Sequence, residues 1–337
     1  MAGMRIGVVG ATGVVGLQLV KMLEEGALPV SEVRLFATAG SAGRRIPFAG
    51  ESLTVEEVSA NSLSEVDLAF FAVGTDASRQ LVPAAVKGGA VAIDKSNAFR
   101  LDPQVPLVVP GVNPHAAREH NGIIASPNCS TIQMVLALKP LDDLATITRV
   151  TVTSFQSVSG SGRAAMDELE RGSRQFLDGD HDLPRVYPHP IAFNLLPHID
   201  DFDSSGYTGE EQKLRRETRK IMVKPHLNIS ATCVRVPVFV GHSESVLIET
   251  EQPLSPQRAR EALEQAVRVR VVDRPEMNRY PMPRDVDGLD QVLVGRIRED
   301  LSSPQGLWLW VVADNLRIGA ATNALDIAQL LWEEDLI

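Results

Sequence analysis

Along the first third of the chain, short apolar-rich runs alternate with stretches whose apolar residues recur every three or four positions. Residues 5–9, 33–36, 68–73 and 90–94 have the make-up of buried strands, and residues 13–25 and 77–87 have helical spacing between them. Such alternation predicts right-handed βαβ units and a parallel sheet. Pro103, Pro106, Pro110, Pro114 and Pro127 then punctuate a loop-rich stretch that leads into an apolar helical run at 132–144. Beyond it the pattern changes. Residues 148–155 form a β-branched strand, 166–176 a polar helix, and 178–205 a long irregular segment. Residues 209–222 have the charge pattern of an exposed helix, with Glu210 four residues before Leu214 and Glu211 four before Arg215. Strands at 232–240, 245–250 and 308–314 predict a second, more antiparallel sheet, closed by a helix at 319–332. There is no internal repeat and no low-complexity segment.

Composition narrows this picture. At roughly 150 residues per domain, 337 residues predict two domains. With 44% hydrophobic and 23% charged residues the chain reads as ordinary globular protein. No apolar run approaches the ~20 residues needed to cross a bilayer. The opening Met-Ala-Gly-Met-Arg-Ile-Gly runs straight into a strand pattern, so no secretory signal is expected. Two cysteines, Cys129 and Cys233, make no disulfide framework and suit a reducing cytoplasm. A formal net charge of −10 argues against nucleic acid or an anionic membrane as partner. An anionic small substrate requires a local cluster of arginine and lysine.

Candidate chemistry begins at residues 10–16, Gly-Ala-Thr-Gly-Val-Val-Gly, between a predicted strand and a predicted helix. Gly10 allows a tight turn, Gly13 lets backbone N–H groups approach a pyrophosphate, and Gly16 permits close helix–strand packing, which points to a dinucleotide. The end of the second strand lacks the acidic residue that holds the ribose hydroxyls of NAD. It reads Thr38-Ala-Gly-Ser-Ala-Gly-Arg-Arg instead. Hydroxyls and arginines suit a 2′-phosphate, hence NADP, unless Arg44 and Arg45 are merely solvated loop charges.

Residues 126–131, Ser-Pro-Asn-Cys-Ser-Thr, put Cys129 directly before the apolar helical run. A sulfur in a first helical turn faces unpaired N–H groups and the positive end of the dipole, which favour the nucleophilic thiolate. A small buried cysteine at a helix start is the competing reading. A nucleophilic thiol needs an imidazole nearby. Of the seven histidines, His115, His120, His181, His189 and His198 read as structural or exposed, and His226 is equally uninformative. His242 differs, because it follows Gly241 at the end of a predicted strand, where the chain is able to turn the ring toward a cleft. Arg235, in an apolar Val-Arg-Val-Pro context, needs a carboxylate or phosphate partner if buried. Arg100 and Lys213 are further candidate anion ligands.

These stretches, together with Asp-Lys-Ser-Asn-Ala-Phe-Arg at 94–100, Phe-Gln-Ser-Val-Ser-Gly-Ser-Gly at 155–162, Gly-Glu-Glu-Gln-Lys at 209–213, Arg-Val-Pro-Val-Phe-Val-Gly-His at 235–242 and Ala-Asp-Asn-Leu-Arg-Ile-Gly-Ala-Ala at 313–321, resemble the aspartate-semialdehyde dehydrogenase family over essentially the whole length. The resemblance implies an α/β fold: a Rossmann-like NADP-binding domain over 1–128, an α+β catalytic and dimerisation domain with a mixed sheet over 129–314, and a C-terminal helix, 315–337, returning to the first domain. It implies NADP-dependent oxidation of aspartate semialdehyde to aspartyl phosphate through a cysteine thioester, run physiologically as reduction toward lysine, threonine, methionine and isoleucine.

Position by position, Cys129 would be the nucleophile, His242 the general acid/base, and Gln156 a residue that positions the substrate. Asn128 would help stabilise the oxyanion. Arg235 would bind the substrate carboxylate and Glu210 its ammonium group. Arg100, Asn128 and Lys213 would form the phosphate site. Gly10, Thr12, Gly13, Val14, Val15, Gly16, Thr38, Gly40, Ser41, Arg44, Ser159, Gly160 and Asn315 would contact NADP. A homodimer or dimer of dimers is implied, and no metal is expected.

One position departs from the family pattern. Gly40 stands where the family usually has an arginine that grips the 2′-phosphate, which predicts NADP use with reduced selectivity. The nearest rival is N-acetyl-γ-glutamyl-phosphate reductase, but Arg235 with Glu210 and Lys213 suits a free amino acid. A non-catalytic relative would be expected to lose the thiol or the imidazole, and both are kept.

Overall fold

The computed structural model describes residues 3–59, 61–180 and 185–337; His181 lies outside the described residues. Two compact units result, Met1–Asn128 with Ala320–Ile337, and Cys129–Gly319. The first begins β1 (Met4–Val9), α1 (Val14–Glu24), β2 (Val30–Ala37), β3 (Arg45–Phe48), β4 (Glu51–Glu57), β5 (Leu68–Phe71), α2 (Thr75–Lys87), β6 (Val91–Asp94) and β7 (Ile123–Ala125). The strands order as β3-β4-β2-β1-β5-β6-β7. Every neighbouring pair is parallel except the β3–β4 hairpin. The order reverses at β1, the switch point at which doubly wound sheets bind ligands beyond their carboxyl ends. The hairpin and β7 escape sequence reading. In β4 a single residue, Val55, is deeply buried, so no apolar run marks it.

The second unit begins with α3 (Cys129–Leu144), followed by β8 (Ile147–Gln156), α4 (Arg163–Leu177), α5 (Gly209–Ile221), β9 (Asn228–Arg235), β10 (His242–Thr250), α6 (Pro256–Glu264), β11 (Val269–Val271), β12 (Val292–Glu299) and β13 (Gly306–Ala313). Its sheet is mixed, in the order β11-β12-β13-β10-β8-β9, antiparallel from β12 to β8 and parallel at both edges. Every residue of α3 from Ser130 to Leu138 is buried, the polar Ser130, Thr131 and Gln133 included, as expected of a helix enclosed on all sides. It packs against α5, α6 and the inner face of the sheet. Over their middle stretches β8, β9 and β10 alternate, with Val150, Val152, Ala231, Cys233, Val246 and Ile248 inward. The opposite face carries half-buried Thr153, Phe155, Leu247, Trp308 and Trp310.

The expected strand over 232–240 ends at Arg235. Pro237 has no N–H for a ladder, and Val238 instead donates to the Val236 carbonyl. His242 therefore opens β10 rather than closing the preceding strand. The chain returns to the first unit through a π-helical stretch, Arg317–Thr322, and α7 (Asn323–Glu333), whose Ala324, Leu325, Ile327, Ala328 and Leu331 complete that unit's core. No helix among the described residues is long and apolar enough to cross a membrane.

Candidate active site

In the first unit, the loop between β1 and α1 is closed too tightly for side chains. A Cβ on Gly10, whose φ is +87°, would stand 2.4 Å from the Ala72 carbonyl oxygen, and one on Gly16 would stand 2.1 Å from that of Gly10. Gly13 caps α1 with no side-chain hydrogen bond, so the first-turn N–H groups are left for a ligand. These features fit a dinucleotide pyrophosphate. Thr38, Gly40, Ser41 and Arg44 follow β2, with Ala39–Ser41 in a single 3-10 turn. Arg44 is exposed, and Arg45 is drawn away to the Ser52 carbonyl at 3.3 Å. A Cβ on Gly40 would meet nothing within 4 Å. Arg100 and Asn128 are also in this unit and buried; Arg100 donates to the carbonyls of Ser126 at 3.0 Å and Lys95 at 2.6 Å.

The second unit gathers polar side chains at one end of its sheet. β8 and β9 run parallel and finish together, so Gln156 lies opposite Arg235, while antiparallel β10 starts at that same end with His242. Gln156, Arg235 and His242 are all buried. Glu210 reaches them from the first turn of α5, which Thr208 and Glu211 fix by a capping box. Its Oε1 accepts from Gln156 at 2.9 Å and from Ser130 at 3.2 Å, linking α5 to β8 and to the residue after Cys129. Its Oε2 pairs with Lys213 at 3.2 Å, and Lys213 also pairs with Asp200 at 2.5 Å. Burial opposes the Lys213 charge, but Glu210 and Asp200 outweigh it and hold the ammonium pKa above its ordinary value.

Arg235 donates from Nη1 to the Ser157 carbonyl at 2.7 Å and lies 5.8 Å from the Tyr187 ring centroid. Its Nε and the Tyr187 hydroxyl are buried without hydrogen-bond partners among the described residues. The His242 Nδ1 accepts from the Ser157 backbone N–H at 3.1 Å and lies 3.0 Å from the Ser157 hydroxyl. Its Nε2 has no partner among the described residues. Burial first, and then the Arg235 charge, push the imidazole down to about 3. A Cβ on Gly160 would lie 3.4 Å from both Arg235 Nη1 and His242 Nε2, so the two face one small space. Ser159 and Asn315 bond to one another beside this ring.

Cys129 is part-exposed at the start of α3. A Cβ on Gly319 would stand 3.0 Å from its own, so glycine there keeps room beside the thiol. Cys233 is wholly buried, and burial together with Glu210 raises its thiol, which makes it core filler. The structure thus brings together Gln156, Glu210, Lys213, Arg235, His242, Ser159, Gly160 and Asn315 of the expected site residues. Sequence reasoning missed Ser157, Tyr187, Asp200 and Gly319. Ser157 and Gly319 lie inside quoted motifs, whereas nothing local marks Tyr187 or Asp200.

Fold and site define a two-domain semialdehyde dehydrogenase. Residues 5–120 match the family model for the semialdehyde dehydrogenase NAD binding domain, and residues 138–318 that for the semialdehyde dehydrogenase dimerisation domain. More narrowly, the chain belongs to the aspartate-semialdehyde dehydrogenase family. It is 50% identical to the aspartate-semialdehyde dehydrogenase of Aquifex aeolicus, over 99% of this chain and 100% of the relative. The crystal structure of aspartate semialdehyde dehydrogenase II from Vibrio cholerae complexed with ASA superposes with a TM-score of 0.95, at 43% identity over 98% of both chains. The Candida albicans enzyme with NADP gives a TM-score of 0.78, at 27% identity over 99% of both.

Proposed function

We propose that this chain catalyses the reversible, NADP-dependent oxidative phosphorylation of L-aspartate 4-semialdehyde to L-4-aspartyl phosphate through a thioester on Cys129, in the cytoplasm and in the service of amino-acid biosynthesis. One observation carries the reading. A single buried cluster in the second unit combines a guanidinium with an Nε and an imidazole with an Nε2 that have no partner among the described residues, and a carboxylate that accepts from Ser130, the residue after the thiol. Those groups suit a free amino-acid aldehyde: Arg235 for the α-carboxylate, Glu210 for the ammonium group, Gln156 to orient the carbonyl. The aspartate-semialdehyde dehydrogenases to which the chain is similar, one of them solved with ASA, add to that support.

Cys129 opens α3, where first-turn N–H groups and the helix dipole favour the thiolate. His242 serves the same reacting centre. Arg100, Asn128 and Lys213 are assigned to the phosphate. The loop at 10–16, with Thr38, Ser41 and Arg44, holds the dinucleotide, which supplies the hydride acceptor when bound. The half-buried outer face of the six-stranded sheet is assigned to pairing of two copies.

The decisive assay follows NADPH formation from aspartate semialdehyde with and without phosphate. Phosphate-dependent NADPH formation is expected. In Cys129→Ala, kcat should fall on the order of 10⁴-fold or more. Undiminished activity in that variant would remove the thioester reading.

A further inference from the structure

Glu210 and Lys213 are assigned to opposite ends of the reaction, the first to the substrate ammonium group and the second to phosphate. In the fold they are bonded to each other, Lys213 Nζ to Glu210 Oε2 at 3.2 Å, three residues apart on α5. A third charge, with no role so far, completes the group: Asp200 Oδ2 accepts from the same ammonium at 2.5 Å. Several features fix Asp200 in this place. Its φ of +64° is left-handed, a conformation that costs most residues and that aspartate and asparagine adopt more readily. Its carboxylate lies against the first turn of α5, where the helix dipole favours an anion. Gly209 makes that approach possible, since a Cβ there would stand 3.0 Å from the Asp200 Cβ and 3.3 Å from Oδ2. The Gly209 N–H donates to the Asp201 carbonyl at 2.9 Å and ties the segment to the helix start.

We propose that Asp200 is a positioning residue that sets the balance between the two substrates: by holding Lys213 it keeps Glu210 available to the substrate ammonium group and moderates the grip of Lys213 on phosphate. This rests on the roles proposed for Glu210 and Lys213. One ammonium against two carboxylates gives the triad a formal charge of −1. That charge attracts an incoming ammonium and opposes an incoming phosphate. With Asp200 neutralised the triad carries no net charge, and Lys213 turns wholly toward Glu210 and phosphate. The Lys213 and Glu210 side chains are 22% and 5% exposed, so their interactions are screened less than those of surface charges. Asp200 is 44% exposed, which keeps its effect modest.

The arrangement suits the order of events. The ammonium group must be seated before the thiol attacks, whereas phosphate is needed only once the thioester has formed. Asp200 occupies Lys213 in the meantime. When phosphate arrives, the ammonium exchanges one charge-assisted hydrogen bond, to Asp200, for another, to a phosphate oxygen. No covalent bond and no proton moves in this exchange, and the raised pKa of Lys213 keeps it a cation throughout.

The test is Asp200→Asn in the full-length protein, which keeps the side-chain shape and the left-handed backbone and removes the charge. KM for inorganic phosphate should fall about two- to fivefold and KM for aspartate semialdehyde should rise by a similar factor, the size of a half-exposed ion pair, with kcat within about twofold of wild type. Opposite shifts are the signature of charge. A purely structural role moves both constants upward or lowers kcat with them, and that result, or two unchanged constants, overturns the proposal. Asp200→Gly, which also accepts the left-handed backbone, should shift both constants the same way as asparagine; a different pattern overturns the electrostatic account. At about 1 M salt, where the Debye length is ~3 Å, the differences from wild type should shrink, and differences that persist in full count against it. In a Lys213→Gln background, Asp200→Asn should leave the phosphate KM unchanged, and a further fall there overturns action through Lys213. Failure of the underlying reaction looks different: wild-type protein without phosphate-dependent NADPH formation, or activity surviving Cys129→Ala.

Discussion

The glycine loop at residues 10–16 offers a ligand backbone alone, whereas the cluster around His242 is built of side chains from β8, β9, β10 and α5. At the loop, function lies in what is missing: the Cβ positions at Gly10 and Gly16 coincide with carbonyl oxygens. In the cluster, function lies in what each buried group is paired with, and which atom is left without a partner. A loop of the first kind tolerates no addition, while a cluster of the second kind tolerates no change in hydrogen-bond count.

The sharpest way to break the loop is Gly16→Val. A side chain there meets the Gly10 carbonyl at 2.1 Å, so the turn must open. Dinucleotide binding should weaken by more than about a hundredfold in a fluorescence titration, with ~1–3 kcal/mol lost from stability by overpacking. Tight binding by this variant would mean that the backbone cradle is not the phosphate site. Gly40→Arg tests the same region by addition where there is room, since a Cβ at Gly40 meets nothing within 4 Å. One charge-assisted contact to a 2′-phosphate is worth about 1.5–3 kcal/mol, so the NADP-to-NAD ratio of kcat/KM should rise on the order of ten- to a hundredfold. A ratio that stays level would place the 2′-phosphate elsewhere.

The cluster is sharpened by Glu244, which shares its sheet face two residues beyond His242. Both carboxyl oxygens are buried, and burial, opposed by Gln133 and aided by the Glu210 charge, holds the carboxyl well above the ordinary 4.5. Below about pH 4.5 the carboxyl is protonated in folded and unfolded chains alike; above it the unfolded chain releases the proton and the folded chain keeps it. Stability therefore falls as pH rises through that window, by about 1.4 kcal/mol per pH unit at most. Glu244→Gln should remove this slope and raise Tm at pH 8 relative to wild type, read by thermal melts from pH 5 to pH 8. Identical slopes in the two proteins would mean that Glu244 is ionised in the fold.

Much of the first unit was legible because its signals are short-range. Apolar-rich runs mark β1, β2, β5 and β6, and helical spacing marks α1 and α2. The β3–β4 hairpin was not, since its strands bury few side chains. In the second unit, β8, α4 and α5 follow from periodicity, but Pro237 cuts β9 short and moves His242 to the start of the next strand. Glu210 and Arg235 were readable as residues worth watching. Asp200 and Tyr187 were not, because an aspartate or a tyrosine in irregular chain carries no pattern until something packs against it.

By itself, the sequence determined the glycine loop, the cysteine at a helix start and the alternation that builds a parallel sheet, because each depends on residues within a few positions of one another. Only the tertiary structure decided that His242 is buried beside Ser157 and Arg235, that Cys233 is inert, and that Glu210 links Gln156 to the neighbour of Cys129. Those properties come from strand register and burial. The bond from the Ser157 N–H to the imidazole joins residues 85 apart in the chain, and the free energy of a proton on a ring depends on what surrounds it rather than on what precedes it.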